Sequence, residues 1–439
     1  MLDLIKNKFS KLDIHSLEVV KKSSSSLIVK LLGMAATFLI SIILGRTVGP
    51  EGLGIINLAN RVVAIVLIFS MLGMNNVILK EIAIAFERKN WQQVVNTMFT
   101  AYRINIPLAL ILSTVFILLT PWISYDFFKE PQLEIPLIIA LVVVVPQVIS
   151  RILASSIRGF RKIWQSNLIN DTLSATFVAF GLVILLLLKI EITVINIAVL
   201  FAISKLIITL AVGIYWKKLF KFSGRGALRI KDMLKVGLPL LIVSSTSMIA
   251  ANADTIMLGW LSNTQEIGFY SVASRLGMLT NFLLLIAIST LSPKIASLFA
   301  EKKIKELERM VQQVTKGLFF LGLFSLIAFI FAGEYILSLW GNGFIGSYWI
   351  LIIITVGQFF NISTGSTGII LMMTGNERTI GKITFLSAVI NLALNYFLIP
   401  KFGAMGAAVS TASTVTIENI IKVIVVKKKT GILSIPIKF

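Results

Sequence analysis

The groups of this chain able to do chemistry are ionisable side chains set inside long apolar runs. The cations are Lys30, Arg61, Arg103, Arg151, Lys205, Arg275 and Lys422, and the carboxylates are Asp171, Asp254 and Glu418. A charge near a bilayer centre costs roughly 2.5–3.5 kcal/mol, so each must face protein, water or a partner. Arg103, Arg151 and Lys422 stand near the basic ends of their runs, where snorkelling accounts for them. Arg61 and Arg275 lie deeper and share one local setting, Gly-x4-Ala-x-Arg. Each is either a structural arginine capping carbonyls at a helix bend or one of two cations lining a cavity. Arginine suits the second role because its fork binds phosphate oxygens in pairs and stays charged. Lys205 stands mid-run, Lys30 adds a further cation, and Asn167, Asn170, Asp171 and Ser174 recur at spacings of three and four, hence on one helix face. The interior of the N-terminal half therefore reads as polar and net positive. Asp254, near Asn252, is either an ion-pair partner of Arg275 or a carboxylate coupled to a proton or sodium ion. Glu418 and Lys422, four apart, suit a pair. The stripes Gln358/Asn361/Gly365 and Thr384/Ser387/Asn391/Asn395 read as helix-packing glue rather than substrate contacts.

The elements that position these groups follow from composition. The 439 residues are 56% hydrophobic and 14% charged, with mean hydropathy +0.92. Soluble domains carry about 45–50% apolar and about 25% charged residues, so this chain uses lipid as its solvent. Apolar runs long enough to span lie near 26–45, 55–79, 100–123, 133–156, 166–188, 193–216, 236–260, 266–291, 312–333, 348–373, 380–399 and 404–426. Basic residues at alternate connections and the ends outnumber those in the remaining connections by thirty to four, the four being Arg46, Lys129, Lys189 and Lys401. That asymmetry predicts twelve spans with both termini cytoplasmic, as expected of a plasma-membrane protein. The net charge of +21 is explained by those connections, without nucleic acid. Cysteine is absent and histidine occurs once, at His15, so disulfides and thiolate or histidine metal sites are excluded. No phosphate-binding loop, metal-ligand cluster or long outer loop with paired carboxylates occurs, which predicts a transporter without cofactors rather than an enzyme. Its energy would come from an ion gradient, the membrane potential or the substrate's own gradient.

An internal repeat divides the chain. Leu44-Gly45, Gly54, Ala59, Arg61, Lys80, Glu87 and Lys89 recur 214 positions later as Leu258-Gly259, Gly268, Ala273, Arg275, Lys294, Glu301 and Lys303. Six spans separate the copies, so the halves form a parallel repeat. The expected organisation is a retained cytoplasmic segment 1–25, an N-lobe 26–216, a basic linker 217–235, a C-lobe 236–426 and a cytoplasmic tail 427–439. The fold class is all-α integral membrane, two bundles of six helices.

The phrases Gly45-Arg46-Thr47-Val48-Gly49-Pro50-Glu51-Gly52-Leu53-Gly54, Asp254-Thr255-Ile256-Met257-Leu258-Gly259 and Ile267-Gly268-Phe269-Tyr270-Ser271-Val272-Ala273-Ser274-Arg275 carry a resemblance. With twelve spans in two repeats, they resemble polysaccharide biosynthesis proteins, the Wzx-type flippases of the multidrug/oligosaccharidyl-lipid/polysaccharide (MOP) exporter superfamily. The resemblance covers nearly the whole chain. It implies a V-shaped, MATE-like pair of bundles whose central cavity opens alternately to each side. The implied cargo is a polyprenyl-pyrophosphate oligosaccharide with an anionic headgroup, carried with a proton, sodium ion or neither and alongside other polysaccharide-assembly proteins. Arg61, Arg275, Lys205 and Lys30 would meet that headgroup, and Asp254, Asp171 and Glu418 would couple ions or pair. The alternative of the same architecture is a cation-coupled drug or metabolite antiporter, which expects an acid-rich N-lobe.

Overall fold

A computed structural model of the chain describes residues 14–435, and every described element is helical. The helices are α1 (Ile14–Met71), α2 (Met74–Glu87), α3 (Trp91–Trp122), α4 (Glu134–Val142), α5 (Val144–Gly159), α6 (Ile163–Asn167) and α7 (Leu173–Leu187). They continue as α8 (Val194–Leu219), α9 (Ile230–Leu261), α10 (Thr264–Ala300), α11 (Ile304–Ser338), α12 (Tyr348–Ser363), α13 (Thr367–Met373) and α14 (Glu377–Thr430). By length and apolarity alone six helices can cross a membrane, or eight when each bent pair counts as one span. Two of the six, α1 and α14, are each two helices meeting at a glycine with positive φ, Gly49 and Gly403. With those breaks included, with α2 joined to the second half of α1 and α5 to α4, and with the short segments beside α3, α4, α7 and α12 joined to them, the described chain runs through twelve helical stretches. The side chains left in the open are those that lipid would solvate: Phe331, Leu187 and Leu118 are 86%, 76% and 75% exposed.

The break at Gly49 has a local cause. Gly49 adopts φ 69°, which an L side chain resists, and Pro50 begins the next helix, where its missing N–H costs nothing. At Gly403 the returning helix is capped from a distance: the Glu266 carboxylate accepts from the Ala404 N–H at 2.6 Å. Basic residues take the left-handed position after four helices, at Lys89, Arg161, Lys189 and Lys302. In each, the next residue's N–H reaches back to the last turn, as from Asn90 to Ala85 at 2.8 Å and from Lys303 to Leu298 at 3.0 Å. The cations thereby sit where the helix dipole favours them. This capping also refines the repeat. Lys89 is structurally equivalent to Lys302, not Lys303, because the Leu72-Gly73 break between α1 and α2 consumes one residue that unbroken α10 does not need. In the connection after α10, the hydrogen bond between Glu301 and Lys303 lowers the carboxyl's pKa and raises the ammonium's. Both groups are exposed, so the pair contributes little to stability.

The described residues form two compact units. Unit 1 takes those up to Ile43 with Val62–Ser124 and Gln132–Ser247; unit 2 takes Leu44–Arg61, Tyr125–Pro131 and the chain from Met248. Compactness thus groups the chain differently from linear order. Residues 44–61 pack in unit 2, and the first half of α9 packs in unit 1, where Gly73 lies against the Gly237 carbonyl.

Within unit 1 the segment 220–229, inside the predicted linker, runs back along α3. The Ala227 N–H donates to Asn96 Oδ1 at 2.8 Å, the Arg229 N–H to Thr100 Oγ1 at 3.0 Å, and Gln92 Nε2 to the Arg225 carbonyl at 2.6 Å. Arg229 also pairs with Glu81 at 2.9 Å. Unit 2 repeats the device: after α14, Leu433 donates to Glu308 at 2.8 Å and accepts from Gln312 at 3.0 Å, both on α11. In each half, then, the chain leaving the sixth span is tied to the start of the third. Asn96→Ala removes the acceptor for Ala227, a net loss of about 0.5–1.5 kcal/mol. Faster tryptic cleavage at Arg225 and Arg229 is the expected outcome, and an unchanged rate would contradict the clamp. Of the predicted N-terminal segment, residues 1–13 lie outside the described residues and helix α1 already runs from Ile14. Of the predicted tail, α14 extends to Thr430 and residues 436–439 lie outside the described residues.

Candidate functional site

The second stretch of α9, Ala251–Leu261, lies in unit 2. Asn252, near its start, donates to the Met248 carbonyl at 2.8 Å, one of the backbone groups that lipid could not satisfy. Its side-chain oxygen accepts from Arg61 at 2.5 Å. Arg61, which linear order assigns to the N-lobe, therefore sits in unit 2, within electrostatic range of both Arg275 and Tyr270. The two repeat-related arginines come together in one unit.

One half-turn beyond Asn252 lies Asp254. Its carboxylate accepts from the Tyr270 hydroxyl of α10, from Asn395 Nδ2 at 2.6 Å and from Thr411 Oγ1 at 2.7 Å, both on α14. Asn391 extends the group through Thr411 and Asn395, at 3.3 and 3.2 Å. The carboxylate is half-buried, and three donors from two helices converge on it. The arrangement gathers two hydroxyls and two amides around one carboxylate, whose own oxygens are the atoms a proton or a hard cation would meet. Replacing Asp254 by alanine leaves those three donors without their acceptor, at about 1 kcal/mol each. The expected result is a thermal midpoint several degrees lower in detergent. Asp254→Asn should fall less, because its amide oxygen still accepts; an Asp254→Ala midpoint equal to wild type would contradict the arrangement.

The remaining sequence candidates separate. Glu418 pairs with Lys422 at 2.6 Å and accepts from Thr384 at 3.2 Å, as the four-residue spacing suggested. Asn361 of the first polar stripe bridges helices, donating to Asn281 at 2.9 Å and accepting from Asn419 at 3.0 Å. Lys205 lies in unit 1, beside a cavity of about 40 Å³ that Gln147, Ser150 and Arg151 also line. Lys30, also of unit 1, is exposed on α1, next to Val29, whose carbonyl accepts from Thr172 at 2.8 Å. The Asp171 side chain lies outside the described residues. Sequence reasoning missed Tyr270 and Thr411, although Tyr270 sits inside a phrase that carried the resemblance. It also set aside Arg151, which lines a second, larger cavity in unit 1 with Arg158.

The helices and buried polar groups define an all-α, multi-pass membrane protein. Its fold is similar to the solved structure titled "Lipid II flippase MurJ, inward closed conformation", with a TM-score of 0.74 at 15% identity, over 93% of this chain and 87% of that one. The polysaccharide biosynthesis protein family model matches residues 19–299, well over half of the chain, and the MatE model matches residues 239–397. The chain belongs to the polysaccharide biosynthesis protein family and has a MATE-like fold. It is similar to the capsular polysaccharide biosynthesis protein CapF of Staphylococcus aureus, 25% identical over 197 residues, 45% of this chain and 49% of that one. It is also similar to the probable flippase AglR of Haloferax volcanii, 29% identical over 177 residues, 39% of this chain and 36% of that one. The chain thus spans half or less of the length of these curated relatives.

Proposed function

We propose that this protein moves a polyprenyl-pyrophosphate-linked oligosaccharide unit across the plasma membrane by alternating access, for surface polysaccharide assembly. The observation that carries the reading is the placement of Arg61 and Arg275 in one unit within electrostatic range, two guanidiniums among apolar helices. Such a pair is suited to the two phosphates of a lipid carrier, while the lipid tail stays in the bilayer. Family membership and the flippase named among the relatives support it. In this reading Lys205 and Lys30 add positive charge on the N-terminal side, and Asp254 holds a coupling proton or sodium ion. The lobes 26–216 and 236–426 move against each other about the linker 217–235, both termini are cytoplasmic, and the protein catalyses no covalent change.

A second reading, a cation-coupled antiporter, is favoured by the hydroxyl and amide groups gathered around the Asp254 carboxylate and the MatE match. One experiment separates them: reconstitution in proteoliposomes with a fluorescent polyprenyl-pyrophosphate oligosaccharide on one leaflet. Protein-dependent transfer to the other leaflet is expected. No transfer, alongside efflux of organic cations, would replace the flippase reading with the antiporter.

A further inference from the structure

Unit 1 contains a cavity of about 310 Å³ lined by Asn75, Asn76 and Leu79 of α2, Arg151, Ser155 and Arg158 of α5, and Ser166 of α6. That volume lies at the small end of known ligand pockets, but the lining is polar where most are apolar. Among the described residues, Leu79 is the one apolar residue lining it and no carboxylate does. Arg151, Ser155 and Arg158 recur at four and three, so a single face of α5 supplies both guanidiniums. Seven residues separate the two arginines, about 10 Å along the helix axis. Arg158 gives an N–H to Asn167 Oδ1 at 2.8 Å, its sole hydrogen-bond partner among the described residues, although guanidinium carries five N–H donors. Ser155 reaches Asn75 at 3.4 Å, joining the α2 and α5 walls.

Helix-end electrostatics explain part of this. Arg158 is in the last turn of α5, where a cation complements the dipole. Arg151 lies two turns further in, beyond that effect. Arg151 also lines the smaller cavity that holds Lys205, so positive charge continues from Arg158 through Arg151 to Lys205. An open polar cavity walled by two guanidiniums and four amide or hydroxyl side chains is built to replace the hydration of a multiply charged oxyanion.

We infer that the α2/α5/α6 cavity of unit 1 is an anion site that takes phosphate oxygens on Arg151 and Arg158, separate from the Arg61–Arg275 pair. The inference rests on the flippase reading only for the ligand's lipid anchor; the binding of phosphate oxygens does not need it. Occupied by a pyrophosphate headgroup, the site would hold the cargo beside Lys205 within unit 1.

The test is binding, not transport. Wild-type protein in lipid nanodiscs is titrated by calorimetry with inorganic pyrophosphate, and in a second arm with polyprenyl diphosphate, at constant ionic strength. Wild type is expected to bind, and the double variant Arg151→Gln/Arg158→Gln to bind at least tenfold more weakly. Ser155→Asp, which places a carboxylate in the wall, should show the same loss without touching either arginine. Arg158→Lys should retain part of the affinity, and the same ranking should hold when every protein also carries Arg61→Ala, which removes the other proposed phosphate contact. Binding of both probes identifies the phosphate group as the determinant, and binding of polyprenyl diphosphate alone identifies the lipid headgroup. No binding of either probe to wild type, or equal affinity in wild type, the double variant and Ser155→Asp, overturns the site. Absence of flipping in proteoliposomes would remove the flippase reading and leave the pyrophosphate titration intact.

Discussion

Arg61→Ala and Arg275→Ala are each expected to abolish polymer export while the protein stays in the membrane at wild-type amounts. The argument starts from the cost of the two charges. A guanidinium among apolar helices is held against a penalty of roughly 2.5–3.5 kcal/mol, so a stable fold gains little from keeping two of them within electrostatic range of each other. Arg61 offsets its cost partly through Asn252, itself engaged with the Met248 carbonyl. Removing Arg61 therefore leaves one amide oxygen to solvate and relieves the repulsion on Arg275. The fold should tolerate it. Transport should not, because hydrogen bonds to charged groups are worth about 1.5–3 kcal/mol, a factor of roughly ten to a hundred in rate or affinity for each arginine lost. Arg61→Lys keeps the charge but not the fork, so an intermediate rate is expected. The measurement is surface polymer against membrane abundance by immunoblot. Normal export from both alanine variants would remove these residues from the substrate path.

A second large effect is expected from Gly54 and Gly268, with stability as the readout. A Cβ at Gly54 would fall on the backbone carbonyl oxygen of Thr264, and a Cβ at Gly268 on that of Pro50. Thr264 begins α10 and Pro50 begins the second half of α1, and the two are 214 positions apart, as are the two glycines. Each helix start thus lies on the glycine one turn into its repeat partner, a self-complementary contact inside unit 2. Small residues are what allow backbones to approach in lipid, where no hydrophobic effect pushes helices together. The atoms met are backbone, which cannot swing away as a rotamer would. Gly54→Ala and Gly268→Ala are each expected to cost about 1–3 kcal/mol, by similar amounts. The double variant should cost less than the sum, because one separation of the helices relieves both clashes. Thermal unfolding in detergent checks this, and additive or negligible losses would show that the crossing gives way elsewhere.

The class of this protein was legible in its sequence for a physical reason. In lipid every backbone polar group must be satisfied within a helix, so spans announce themselves as unbroken apolar runs. The repeat was legible because Gly54, Ala59 and Arg61 return in register as Gly268, Ala273 and Arg275, and the pairing of Glu418 with Lys422 because both stand on one helix face. Those signals are local along the chain. Tertiary structure alone decided that Arg61 meets Asn252 across 191 residues, and that Asp254 meets Asn395 and Thr411 across 141 and 157. It also decided that Arg151 and Arg158, read one by one as snorkelling or loop charges, wall a single cavity. Even the repeat's register was one residue off at Lys302, since a helix break cannot be counted from letters that match on either side of it. Apolar patterning tells a helix that it must be buried in lipid or protein, but not which neighbour it faces. That choice rests on close packing of small residues and on a few long-range polar contacts, neither of which leaves a period in the sequence.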